Sequence, residues 1–150
     1  MMNDLYMSYS IKEAYKAFNE DEVPVGCVIV FNDEVVAKAH NKKVKKKDPT
    51  SHAEIECIRK ACKKLNTSNL DGCKMYVTLE PCIMCAGAII QSRIKELYIG
   101  TLDNKGGAFG SNTDVLKIKG LNHYPKVYKN IRQKECSDVL KAFFKSKRSK

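Results

Sequence analysis

The sequence predicts an α/β layered domain, with a central sheet of about five strands carrying helices on both faces. Three observations predict it. Apolar runs of strand length alternate with segments of helical period along the chain. The most apolar run, Val25-Gly-Cys-Val-Ile-Val-Phe31, is continuous rather than alternating, as expected of a strand covered on both sides. Finally, 150 residues with 43% hydrophobic and 29% charged side chains suffice for one core, and no linker or repeat divides them, so residues 1–150 read as a single domain.

Each element follows in order. Residues 3–20 read as a helix with an uneven apolar face of Tyr6, Ala14, Tyr15 and Phe18, and Pro24 punctuates it. The 25–31 strand turns at Asn32-Asp33 and returns over Glu34 to Ala39 as a hairpin partner. A polar loop runs from Asn41 to Thr50. Over 51–65, Ile55, Ile58, Cys62 and Leu65 recur at helical spacing, with Lys63 and Lys64 favourably placed in the last turn. Lys74 to Leu79 is a third strand. Pro81 suits the first position of a helix running to about Gln91, and Ala86-Gly87-Ala88 permits it to pack closely on a sheet. Glu96 to Thr101 is a fourth strand, and Gly106, Gly107 and Gly110 mark an irregular loop. Pro125 to Lys129 offers a fifth, edge strand. The last helix, 132–147 within a basic end reaching 150, carries Cys136, Val139, Leu140, Phe143 and Phe144 on one stripe, with both phenylalanines read as core.

Composition narrows the function. Lys and Arg number 27 against 17 Asp and Glu, a net charge of +10 that puts polyanions first among partners. Asp4, Lys12, Glu13 and Lys16 interrupt Met1 to Phe18, so it has no signal-peptide core, and no apolar stretch is long enough to span a bilayer. The cysteines number seven, an odd count without an export signal. That reads as a cytoplasmic protein whose thiols fill the core or bind metal.

Two segments carry the chemistry: Asp48-Pro-Thr-Ser-His-Ala-Glu54 and Glu80-Pro-Cys-Ile-Met-Cys85. Each opens a helix. Cys82 and Cys85 alone fit a redox pair, part of a zinc site or core filler. His52 alone reads as a structural histidine, and Ser51-x-x-Glu54 alone is a capping box. Together they read differently. One imidazole and two thiolates make three protein ligands, the number a catalytic zinc takes while leaving a position for water. Zinc lowers the pKa of that water toward 7, and a neighbouring carboxylate such as Glu54 can then move its protons.

His52-x-Glu54 followed by Pro81-Cys82-x-x-Cys85 is the signature of zinc-dependent nucleobase deaminases. Within that cytidine/deoxycytidylate deaminase superfamily the chain resembles the bacterial tRNA-specific adenosine deaminases. The resemblance rests on DPTSHAEI (48–55), MYVTLEPCIMCAGAIIQSRI (75–94), DNKGGAFGS (103–111), Gly120-Leu-Asn-His123 and the basic C-terminal helix. It implies a three-layer α/β/α cytidine-deaminase-like fold with a mixed sheet. It implies one zinc ion per subunit on His52, Cys82 and Cys85, with Glu54 passing a proton from water to the ring nitrogen while C6 of the purine is attacked. The product would be inosine at the wobble position of a tRNA anticodon, with ammonia released. Asn41 matches an asparagine that hydrogen-bonds the flipped base, and Asn122 matches a position near the RNA. Relatives are homodimers in which both subunits touch one tRNA at its anticodon stem-loop, with the C-terminal helix against the stem. Some lack the glutamate and are non-catalytic; this chain retains Glu54.

The basic segments agree. Lys42 to Lys47 holds five lysines in six positions and borders the expected pocket, suited to phosphate. Lys141, Lys145, Lys147, Arg148 and Lys150 gather at the end. Tyr124 and Tyr128 suit either base stacking or strand packing, while Cys27, Cys62 and Cys136 read as core. Three alternatives stay open. A free-base or nucleotide deaminase on the same scaffold would act on small substrates. A non-catalytic RNA-binding protein would need a fourth zinc ligand such as Cys57 or Cys73. A thiol oxidoreductase would cycle Cys82 and Cys85 without metal.

Overall fold

Alternation of side chains along three central strands decides the layering. A computed structural model describes residues 2–148. Its elements are α1 (Met2–Asn19), β1 (Gly26–Phe31), β2 (Glu34–His40), α2 (Lys43–Lys46), α3 (Ala53–Leu65), β3 (Lys74–Leu79), α4 (Ile83–Gln91), β4 (Glu96–Thr101), β5 (Lys126–Tyr128) and α5 (Gln133–Arg148), with one 3-10 turn at Val115–Lys117. Cys27 and Ile29 of β1, Met75 and Val77 of β3, and Leu97 and Ile99 of β4 point into one core with Ala53, Cys57, Ala86 and Ile89 of α3 and α4. Val28, Val30, Tyr76 and Tyr98, the residues between, point into a second core with Tyr6, Met7 and Ile11 of α1 and Cys136 of α5. Burial on both faces is why the first strand reads as a continuous apolar run.

The sheet order is β2-β1-β3-β4-β5. β1 runs antiparallel to β2 and β3, and β3, β4 and β5 run parallel. This is the mixed five-stranded sheet with helices on both sides that the sequence predicts. Gly26 shows how tightly the layers meet: a Cβ there would run into the backbone of Ser10 and Ala14 on α1. No described helix is long and apolar enough to cross a membrane.

Several boundaries and faces differ from expectation. Residues 43–46, within the expected loop, form a helical turn, because the buried Glu22 carboxylate accepts hydrogen bonds from Val44 N at 3.0 Å and Lys45 N at 2.7 Å. The helix expected from Pro81 starts at Ile83, with Cys82 as its N-cap. On α3 the buried apolar residues are the small ones, Ala53, Cys57 and Ala61, rather than the Ile58, Cys62, Leu65 stripe, which is only half-buried. Small side chains let the helix lie close on the sheet. Phe143 is buried as expected, whereas Phe144 is 45% exposed on the other side of α5. Tyr128 stacks on Tyr98 at 4.8 Å and 14°, and Tyr98 on Tyr76 at 4.5 Å and 9°, so strand packing accounts for one face of Tyr128. Lys150, counted in the basic end, lies outside the described residues.

A hydrogen-bonded clamp, buried at Glu13 and His40, ties α1 to the end of β2. His40 Nδ1 lies 3.0 Å from Glu13 Oε1, and His40 Nε2 lies 3.1 Å from Glu20 Oε1. Burial pushes the Glu13 carboxyl up, but hydrogen bonds from His40 and Lys16 outweigh it and hold the group down at about 2. Lowered from 4.5, this group contributes stability in full above pH 4.5, lost as pH falls through about 2. A Glu13→Gln variant should lose on the order of 3 kcal/mol near neutral pH, with the gap to wild type closing toward pH 2, as read by urea unfolding across that range.

Candidate metal and active site

Two helix N-termini meet beyond the C-terminal end of β3. His52 is the N-cap of α3 and Cys82 the N-cap of α4, both extended (φ −71°, ψ 159° and φ −73°, ψ 176°), and neither side chain caps its own helix. They turn toward each other instead. His52 Nδ1 lies 3.6 Å from Cys82 Sγ and 3.5 Å from Cys85 Sγ, and the three donor atoms fall within 4.8 Å of one another. A forgone cap costs about 1 kcal/mol per helix. The two positive helix ends offset this by favouring negative charge at the junction. The capping box is not made: Ser51 N donates to Asp48 O at 3.1 Å, and the helix starts one residue later. Glu54 is thereby left to face the cluster.

The electrostatics follow from crowding. Hydrogen bonding from the Cys85 thiol, and then from His52, holds the Cys82 thiol down at about 3 against its burial. Cys85 is pushed up, because it donates to Cys82 and is buried. The hydrogen bond with Cys82 raises His52, opposed by burial and by the Lys43 charge. These shifts draw negative charge to Cys82 between two proton donors, and a divalent cation bound there would take the place of those protons. The Glu54 carboxyl, 4% exposed, is pushed up to about 7, mainly by burial, with the charge on Cys82 adding to it and a hydrogen bond from Cys85 opposing.

Two sulfurs and one imidazole nitrogen suit a borderline-soft divalent ion. Among the described residues no fourth His, Cys, Asp or Glu joins the cluster. Cys57 donates instead to Cys27 O at 3.5 Å, and Cys73 is buried in the core, so neither supplies the fourth ligand that a closed structural site requires. Above the cluster lies a cavity of about 240 Å³, walled by Val23, Val25 and Leu79 and bordered by Asn41, Lys43, Glu54 and Asp103. Beside it a groove of about 800 Å³ shares Val23, Leu79 and Asp103 and runs to Lys105, Leu140, Phe144 and Arg148.

The structure brings His52, Glu54, Cys82, Cys85 and Asn41 to one cavity. Asn41 Nδ2 donates to Val23 O at 3.2 Å and its Oδ1 accepts from Lys43 N at 3.1 Å, leaving one N–H and one lone pair for a ligand. Asn122 is not brought there. It is exposed on the loop before β5, whose His123 reaches Ile94 O at 2.6 Å ahead of β4, while the cavity opens beyond the other end of the sheet.

Glu80 was not singled out by the sequence. Its carboxylate, 2% exposed, accepts from Asp103 N at 3.1 Å, Phe109 N at 2.9 Å, Ser111 N at 3.3 Å and the Ser111 hydroxyl. Burial pushes this carboxyl up, but those four donors outweigh it and hold it below its ordinary value. Gly107 packs against that carboxylate so closely that a Cβ would overlap it. The Gly106-Gly107 pair was the available signal.

Fold and site together define a deaminase. A family model described as MafB19-like deaminase matches residues 1–148. The tRNA-specific adenosine deaminase of Bacillus subtilis is 43% identical over 99% of this chain and 92% of its own length, and that of Aquifex aeolicus is 43% identical over 99% and 98%. A solved structure from studies of A-to-I editing by tRNA:A34 deaminases at the wobble position of transfer RNA superposes with a TM-score of 0.88 and 41% identity, over 90% of this chain and 98% of that one. The chain belongs to the tRNA-specific adenosine deaminase family.

Replacing Glu80 with Gln sets an amide donor against amide donors. The variant should lose about 2 kcal/mol and exchange the backbone amides of 103–111 faster, as read by hydrogen-exchange mass spectrometry.

Proposed function

We propose that the chain is a zinc-dependent hydrolase that converts adenosine to inosine at the wobble position of a tRNA anticodon, releasing ammonia. The observation that carries it is the open three-donor cluster of His52, Cys82 and Cys85 beside the buried Glu54, in a chain whose full-length relatives are named for that activity. His52, Cys82 and Cys85 would hold the zinc. When bound, the ion supplies an electrophile that makes water acidic near neutral pH.

The chain's own residues do the rest. Glu54 takes a proton from the attacking water at its carboxylate and delivers it to the purine ring nitrogen, and the C6–O bond forms. It then takes the proton of the new C6 hydroxyl and passes it to the amino nitrogen, so that the C6–N bond breaks, the C6 carbonyl forms and ammonia leaves. A carboxyl held near neutrality by burial can both accept and donate that proton. The free N–H and lone pair of Asn41 orient the flipped base. Val23, Val25 and Leu79 exclude bulk water from it.

The net charge of +10 serves phosphate neutralisation on the anticodon stem-loop. The groove between the 103–105 segment and α5 gives the strand a path away from the cavity. We place the protein in the cytoplasm as a homodimer. Asn122 would meet RNA only from its own end of the sheet.

Two outcomes are expected. Glu54→Ala should retain close to one zinc per chain by elemental analysis, while inosine formation on an anticodon hairpin, read by mass, falls at least about a hundredfold. Hairpin affinity should drop more than about tenfold between 50 and 200 mM salt; a flat response would remove the electrostatic part of the reading.

A further inference from the structure

The lysines between Asn41 and His52 form one charge run in the sequence but do different things in the structure. Lys46 Nζ lies 2.6 Å from Glu56 Oε1, a buried carboxylate on α3. Lys45 Nζ lies 3.9 Å from Glu20 at the end of α1. These two head groups point to neighbouring helices and tie the α2 turn down. The turn's backbone is fixed as well. Glu22, 1% exposed, accepts from Val44 N and Lys45 N, and Lys47 closes the turn in the left-handed region with φ 52°.

Lys43 differs. Its amide is held by Asn41 Oδ1, and of the run it is the one residue that borders the cavity. It makes no ion pair with a carboxylate among the described residues. The acids around the cavity do not answer it. Glu80 is committed to the amides of the 103–111 loop, Asp103 Oδ1 accepts from Lys105 N and Gly106 N, and Glu54 lies beneath the base site. A lysine with a fixed backbone therefore borders a base-sized cavity without a carboxylate partner among the described residues.

A free base or nucleoside brings no negative charge to that rim. A nucleotide within a strand brings a phosphate on each side. We infer that Lys43 binds a phosphodiester flanking the target nucleotide, and so makes the cavity select a strand-borne adenosine over a free one, while Lys45 and Lys46 serve the fold. The inference rests on the function proposed above and adds to it the residue that distinguishes polymer from monomer. Lys43 is exposed, so its substitution leaves the core intact.

The test is a double perturbation on the zinc-loaded protein. Anticodon hairpins are made with a neutral methylphosphonate at one or the other linkage flanking the wobble adenosine, and kcat/KM for inosine formation is measured for wild type, Lys43→Gln and Lys47→Gln. Neutralising one of the two linkages should slow wild type about tenfold, and Lys43→Gln should slow the native hairpin by a similar factor. Combined, the two changes should cost no more than either alone. Lys47→Gln, which removes the same charge from outside the cavity, should stay within about twofold of wild type.

Four results would overturn the inference: wild-type rates for Lys43→Gln, penalties that multiply at both linkages, an equal loss for Lys47→Gln, or turnover of adenosine 5′-monophosphate as fast as the hairpin. The first three remove the contact, and the last moves it to a free nucleotide. If wild type leaves every hairpin untouched, the functional reading itself falls, and this inference with it.

Discussion

The architecture depends on two helix N-termini meeting through their N-cap side chains, His52 Nδ1 and Cys82 Sγ, 3.6 Å apart. α3 and α4 lie on one face of the sheet, each begins from an extended N-cap residue, and those two residues are His52 and Cys82. In most helices such a residue would satisfy its own first turn. Here both side chains are withheld from that duty and collected, with Cys85 from the first turn of α4, into one site. The arrangement favours negative charge from two directions at once, since both helix dipoles present their positive ends. Among themselves the three donors share protons, with the Cys82 thiol held down by its neighbours and the Cys85 thiol pushed up. The local sacrifice and the chemical capability are one fact, as expected where a functional site departs from local rules.

Around that junction, buried carboxylates do the positioning. Glu22 shapes the α2 turn, Glu80 gathers the 103–111 loop, and Glu13 holds His40 just before Asn41. Burying a carboxylate is unfavourable unless donors surround it, and each of these has them from backbone amides or paired side chains. The result is an irregular cavity rim with little freedom. Asn41 and Lys43 lie on the segment between His40, which Glu13 holds, and the Val44 and Lys45 amides, which Glu22 holds, while the Asp103 amide donates to Glu80.

That division explains what could be read from the sequence. The layers were legible because alternation along β1, β3 and β4 is a local pattern, and the gathering of His52, Cys82 and Cys85 because Cys-x-x-Cys and His-x-Glu are short-range spacings with one strong chemical reading. The capping-box reading of Ser51 and Glu54 was locally reasonable and did not hold, because the helix start shifted one residue to release Glu54. The small-residue face of α3 was missed because periodicity weights large side chains, whereas close approach to a sheet selects Ala and Cys. Glu22 and Glu80 were missed because their partners lie 22 to 31 residues away, beyond any window in which a pattern could show.

The charge run teaches the same lesson about electrostatics. A count of lysines gives the far field, and the far field governs encounter and salt dependence. It does not say which head groups are available. Lys46 is held by a buried acid and Lys45 lies near the exposed Glu20, so part of this positive charge is already answered by the protein's own carboxylates. A lysine can contribute to discrimination between substrates only if its partner differs between them. At the cavity rim that condition singles out Lys43, because what changes between a nucleoside and a nucleotide in a strand is the phosphate, and Lys43 is the cation of the run that borders the cavity.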